Sequence, residues 1–153
     1  MKDVVVVDLD GTLYDSTNRE PLAETKQWEE FHRRSIEDPP NMAVLQTLYA
    51  LDALGPEITI IACTGRNDAH RKITDDWLMK HEVPVQEVLM RPEGNFASDA
   101  EIKVALLEEW IGENRPGLAL VEAVLLVLED RDKMVEAWRD LGLDCWQVKH
   151  GGY

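Results

Sequence analysis

Basic blocks, cysteine pairs and long apolar runs are all scarce in this sequence, and each shortage excludes a class of protein. Lys and Arg total 16 against 30 Asp and Glu, a net charge of −14. No cluster of cations offers a stripe along which a duplex backbone could lie, so tight duplex binding is not expected. A small phosphorylated molecule, or one nucleic-acid end drawn in by a metal ion and a few local arginines, stays compatible with that charge. The 2 cysteines, Cys63 and Cys145, both sit in apolar stretches. They read as buried thiols of a reducing cytoplasm, not as a disulfide framework or metal site. The longest apolar run, 123–128, is far short of the roughly 20 residues that a membrane span needs. Met1-Lys2-Asp3 leads straight into Val4–Val7, too short a stretch for a secretory h-region and ended by acids. Repeats, low-complexity tracts and linkers are missing too, so residues 1–153 read as one domain with a single sizeable core. The sequence does not fix an oligomeric state.

What is present alternates. Val4–Val7 is β-branched throughout, as in a strand buried on both faces. Residues 24–36 carry Trp28, Phe31 and Ile36 as the apolar contacts of a helix, stopped by Pro39-Pro40. Met42, Leu45, Leu48, Tyr49 and Leu51 recur at helical spacing until Gly55-Pro56. Residues 58–63 predict a second strand, 67–81 a helix through Ile73, Trp77 and Leu78, and 85–90 a third strand. Ser98-Asp99-Ala100-Glu101 has the form of a capping box and opens a helix through Trp110. After a turn at 114–117, residues 121–128 predict a fourth strand, 133–141 a helix closed by Gly142, and 143–148 a last strand. The tail Gly151-Gly152-Tyr153 is expected to fray. Alternating strands and helices of this kind predict an α/β fold, an open parallel sheet of Rossmann type with helices on both faces.

In such a sheet, ligands bind beyond the carboxyl ends of the strands, where strand order reverses. Asp8 and Asp10 end the first strand, Thr64-Gly65-Arg66 the second, and Glu129-Asp130-Arg131 the fourth. Two acids, a hydroxyl with a cation, and two more acids together suit a hard cation and a phosphate. Magnesium prefers oxygen ligands and fits a cluster of Asp8, Asp10 and Asp130. One carboxylate could attack phosphorus and its neighbour could protonate the leaving oxygen. The Thr64 hydroxyl and a lysine would hold the transferring oxygens. Each feature also has a plainer explanation: an Asx turn at Asp8-x-Asp10, a strand exit at Thr64-Gly65, a helix start at Glu129-Asp130, and the cap alone at Ser98 and Asp99.

The string Val4-Val5-Val6-Val7-Asp8-Leu9-Asp10-Gly11-Thr12-Leu13 resembles the first motif of the haloacid dehalogenase (HAD) superfamily. Thr64, Lys103 and Glu129-Asp130 are similar to its second, third and fourth motifs, in order along nearly the whole chain. The segment from Glu129-Asp130-Arg131 through Val135-Glu136-Ala137-Trp138-Arg139, then Gly142 and Cys145-Trp146-Gln147-Val148, resembles the 3′-phosphatase half of bacteriophage polynucleotide kinase. So does Arg91–Gly94 leading to Asp99 and Lys103. The resemblance implies that Asp8 is the nucleophile and Asp10 the general acid–base. It further implies that Arg19, Arg66 and Asp99, beside Gly65, serve the substrate. Lys103 would contact the phosphate and the nucleophile, and Mg2+ would be held by Asp8, Asp10, Asp130 and, in place of the family's first aspartate of a pair, Glu129.

That half's kinase partner is absent: no Gly-x-x-x-x-Gly-Lys-Ser/Thr run exists here, and no 5′-kinase activity is expected. Neither 14–57 nor 66–103 leaves room for a large cap domain, so the site is expected to be open to a macromolecular end. The implied activity is removal of a 3′-phosphate from a nucleic-acid end or nucleotide. The alternatives are a nucleotidase or general small-molecule phosphatase, and a non-catalytic binding module serving a separate repair enzyme.

Overall fold

A computed structural model describes residues 1–151. Val4–Val7 forms β1, and its four side chains are all buried. Side chains alternate across a strand. Val4 and Val6 therefore enter one apolar layer with Leu107, Trp110 and Trp138, while Val5 and Val7 enter another with Leu45, Leu48 and Trp77. The helices supplying those layers are α3 (Met42–Asp52) and α4 (Arg71–Lys80) on one face, and α5 (Asp99–Asn114) and α7 (Asp132–Asp140) on the other.

Around β1 lie β2 (Thr59–Asn67), β3 (Glu87–Arg91), β4 (Val124–Arg131) and β5 (Cys145–Gly151), all parallel, in the order β3-β2-β1-β4-β5. The chain builds outward from β1 to β3, then returns to β4 on the other side of β1. Strand order thus reverses beside β1, and the carboxyl ends of β1, β2 and β4 open onto one crevice. The expected parallel sheet with helices on both faces is the fold.

Several boundaries differ from the sequence expectation. The helix expected over 24–36 is broken into α1 (Glu20–Glu24), α2 (Trp28–Arg33) and a 3-10 turn at Arg34–Glu37. Pro21 starts α1, and Lys26 ends the segment with φ 57°, a left-handed conformation that no helix continues through. The fourth strand begins later than expected and runs to Arg131, because 120–123 form a helical turn, α6 (Leu120–Ala123). Strand β2 likewise continues past Cys63 to Asn67, with an irregularity in its pairing to β3 after Thr64. Gly151, expected in a frayed tail, is the last residue of β5, while Gly152 and Tyr153 lie outside the described residues. The Ser98 capping box forms in full, with the Ser98 hydroxyl accepting from Glu101 N and the Glu101 carboxylate accepting from Ser98 N. Among the described residues no separate cap domain covers the crevice, and no helix is long and apolar enough to cross a membrane.

Candidate active site

The chain leaving β1 turns at once. Gly11 has φ 83°, open to glycine at little cost, and the amides of Thr12, Leu13 and Tyr14 all donate to the Leu9 carbonyl. Leu9 and Leu13 are anchored in the core, which leaves Asp8 and Asp10 facing the crevice. The two side chains enter different electrostatic environments.

Asp8 is buried with Glu129 and Asp130 from the end of β4, and these carboxylates offer oxygens all within 4.8 Å of one another. Lys103, on the first turns of α5, donates to Asp8 Oδ1 at 2.6 Å and to Glu129 Oε2 at 2.9 Å. Thr12 bridges Asp8 Oδ2 (3.0 Å) and Asp130 Oδ1 (3.2 Å). Among the described residues, Lys103 is the ammonium that bonds within this group of three acids, through Asp8 and Glu129. Burial, and then the neighbouring Glu129, push Asp8 well above the usual carboxylate range and Asp130 up to about 6. Burial alone would raise Glu129 as well, but Lys103 outweighs it and holds Glu129 low. Lys103 is raised despite its burial, by Asp8 and Glu129. An all-oxygen donor set of three clustered carboxylates fits a hard divalent cation such as magnesium.

Asp10 belongs to a second, balanced cluster. Arg66 grips it with two parallel bonds, Nε to Oδ2 at 2.8 Å and Nη2 to Oδ1 at 2.6 Å. Arg19 Nη2 adds a third at 2.7 Å. Burial would raise Asp10, yet the Arg66 and Arg19 guanidinium groups outweigh it and hold the carboxyl far below its ordinary range. Asp10, expected as a metal ligand, therefore has its carboxylate committed to two arginines and stands outside the group of three acids.

Both arginines are themselves fixed. Arg66 donates to Thr74 Oγ1 at 2.9 Å and lies over the Tyr14 ring, which is stacked on Trp77. Arg19, expected to touch substrate, is 1% exposed. It is held by Asp38 (2.8 and 2.5 Å) and by the Phe31 carbonyl (2.7 Å). Its reach toward the crevice is through Asp10. The signal for Asp38 was present in the sequence: an acid before Pro39-Pro40 is confined to extended backbone, and Asp38 has ψ 138°.

Thr64 stands buried at the crevice, its hydroxyl accepting from Arg66 N at 3.1 Å. The irregularity in β2 at this point turns Arg66 onto Asp10, the re-aiming that bulges give to site residues. Gly65 lets Asp99 come close, since a Cβ there would stand 2.8 Å from Asp99 Oδ1. Asp99 pairs with both Arg91 and Arg131. Arg91, whose Nε also donates to the Gly65 carbonyl at 2.8 Å, and Arg131 are cleft residues that the motifs contain but to which the sequence assigned no role.

Asp8, Asp10, Thr64, Gly65, Arg66, Asp99 and Lys103 all line one cleft of about 700 Å³, walled by Trp28, Phe31 and His32 on one side and by residues 95–98 on another. A second hollow of about 600 Å³, between α4 and β3, contains none of them.

The sequence matches the family described as the polynucleotide kinase PNKP phosphatase domain over residues 2–153. Among solved structures, chains of a Pnkp1/Rnl/Hen1 complex and of the Pnkp1/Rnl/Hen1 RNA repair complex are each 28% identical, with TM-scores of 0.76 and 0.77. All of this chain aligns with them, and it spans 47% and 44% of their lengths, just under half. A hydrolase from Streptococcus pneumoniae shares the fold, at 21% identity and a TM-score of 0.61, with 98% of this chain and 95% of that one covered.

Proposed function

From the premise that this chain belongs to the family of PNKP phosphatase domains, among the HAD-type hydrolases, we propose that it is a magnesium-dependent polynucleotide 3′-phosphatase with Asp8 as nucleophile. The observation that carries this reading is the division of the two aspartates. Asp8 lies with a lysine in a cluster of three acids, and Asp10 lies between two arginines a short way along the same cleft. The RNA-repair assembly in which the two similar chains occur supports a nucleic-acid end as substrate.

Asp8, Glu129 and Asp130 would hold the magnesium ion, which would supply positive charge against the phosphate and against these acids. The other roles belong to the chain itself. Lys103 and Thr12 fix the two oxygens of Asp8, so the carboxylate meets phosphorus in one orientation. As the Asp8 oxygen bonds to phosphorus, the bond to the 3′ oxygen breaks and that oxygen leaves with the electron pair. Asp10 gives it a proton. Water then attacks the aspartyl-phosphate, Asp10 takes the water's proton, and inorganic phosphate departs with Asp8 restored.

In the free protein Asp10 is ionised. A phosphate dianion entering the cleft competes for Arg66 and raises the proton affinity of Asp10, which readies it as the acid. The Thr64 hydroxyl, buried beside Asp8, would receive a phosphate oxygen.

The test is magnesium-dependent phosphate release from a 3′-phosphorylated oligonucleotide, compared with 3′- and 5′-mononucleotides and with 2′,3′-cyclic ends. The 3′-phosphorylated oligonucleotide should have the highest kcat/KM. A higher value for a 5′-mononucleotide would replace this reading with the nucleotidase, the second reading, which the charge of −14 favours.

A further inference from the structure

The mouth of the cleft is more aromatic than a phosphate requires. Trp28 of α2 is 49% exposed and Phe96, in the loop from β3 to α5, is 95% exposed, yet both line the cleft that holds Asp8. They come from opposite faces of the sheet. Trp28 stands with His32, whose ring meets that of His70 just before α4, whereas Phe96 precedes α5 on the other face.

Both rings are held on fixed backbone. Arg91 Nη1 donates to the carbonyls of Asn95 (3.1 Å) and Ala97 (2.6 Å), pinning the residues on each side of Phe96. Asn95 Oδ1 also accepts from Ala97 N at 3.1 Å. Trp28 packs edge-on against the buried Phe31 (centroids 5.7 Å apart) and stacks with His32 (6.5 Å). Large apolar rings displayed in this way at a site mark a surface that is covered in use.

The charge of the molecule decides what covers them. Proteins that grip nucleic acid by its backbone gain affinity from counterions released by many lysines and arginines. A net charge of −14 denies that source. At this mouth Arg91 and Arg131 are tied to Asp99, and Lys133 is the exposed cation that takes part in no ion pair among the described residues. Stacking of bases on aromatic rings needs no surplus cations and accepts any base, because every base has a π-face. It does need bases freed from pairing, as in a single-stranded end.

We propose that Trp28 and Phe96 hold the terminal base or bases of an unpaired 3′-phosphorylated strand by stacking. The substrate class is then a single-stranded end, selected without regard to sequence and gripped by its bases, not by its backbone charge. This deepens the 3′-phosphatase reading and rests on it.

Steady-state kinetics on a 3′-phosphorylated oligonucleotide, and on the same strand with an abasic 3′-terminal nucleotide, test the proposal. For the base-bearing strand, Trp28→Ala and Phe96→Ala should each raise KM roughly tenfold to a hundredfold, the range that loss of one stacked base implies, with kcat little changed. Phe96→Trp should restore KM. The abasic strand should show a raised KM with wild type and little further loss with either alanine variant, and the wild-type KM should depend only weakly on salt. Wild-type KM retained by both alanine variants, or equal KM values for the two strands, overturns the stacking grip. The phosphatase reading fails by a different result, an absence of phosphate release from wild type. In that case, binding of the labelled oligonucleotide to wild type and to the alanine variants, followed by fluorescence anisotropy, decides the grip by itself: undiminished binding by the variants overturns it.

Discussion

Asp8 and Asp10 share a residue type and differ by two in position, yet their surroundings move their proton affinities in opposite directions. Burial and the Glu129 charge raise Asp8, while Arg66 and Arg19 overcome burial to lower Asp10. Asp8→Asn leaves the side-chain volume and the Thr12 contact nearly intact. It should reduce phosphate release by at least about 10³-fold with the fold unchanged, read by product assay and circular dichroism. Among the described residues, Lys103 is the ammonium that pairs within the group of three buried acids. Lys103→Met should therefore cost about 3–5 kcal/mol of metal-free stability at neutral pH, since it leaves buried carboxylates unpaired. The loss should shrink at about pH 5, where more of those acids hold protons, and urea denaturation at both pH values measures it. An equal loss at the two values would show that Lys103 acts through packing and not through charge.

At the scale of the element, the ends of the strands matter more than their middles. Strand β2 continues past the apolar run, and its irregularity after Thr64 turns Arg66 toward Asp10 and brings Gly65 against Asp99. A Cβ at position 65 would meet the tip of the Asp99 carboxylate, which can shift, and not backbone. Gly65→Ala should thus leave the sheet intact while moving Asp99 off Arg91 and Arg131. The expected outcome is a lower kcat/KM with unchanged circular dichroism, and kinetics at wild-type level would mean that Asp99 has no part in the site.

At the scale of the whole molecule, the acids buried together where a cation would sit shape the pH dependence of stability. A carboxyl with a raised folded pKa keeps its proton in the folded state after the unfolded chain has lost it. Stability then falls as pH rises between the two values. For Asp130 that window runs from 3.8 to about 6, and Asp8, also raised, adds to it. The depressed groups Asp10 and Glu129 act in the opposite sense. Their stabilisation is complete once pH exceeds the ordinary carboxylate range, so it does not cancel the fall. Metal-free protein should lose thermal stability as pH rises from about 4 to 6, and magnesium should raise the melting temperature more at pH 7.5 than at pH 5. Chelator-treated samples melted across this range check both statements. A magnesium effect independent of pH would argue that the ion binds elsewhere.

Much of the fold was legible in the residues alone. Val4–Val7 and the other apolar runs are strands because β-branched side chains with no polar face suit a sheet covered on both sides, and each strand was located to within a few residues. The acids at the ends of β1 and β4 followed from the same alternation. Local pattern failed where the chain is governed by contacts far away in sequence. The helix expected over 24–36 is broken at Lys26, and the arginine cage around Asp10 joins residues 9 and 56 positions apart. Which acid faces a lysine and which faces arginines is a matter of side-chain direction where the chain leaves β1, and spacing does not encode it. The sequence by itself determined a parallel α/β sheet with acids at its strand ends. Tertiary structure decided the division of labour among those acids, and placed Trp28 and Phe96 at one mouth, because burial and charge act through space and not along the chain.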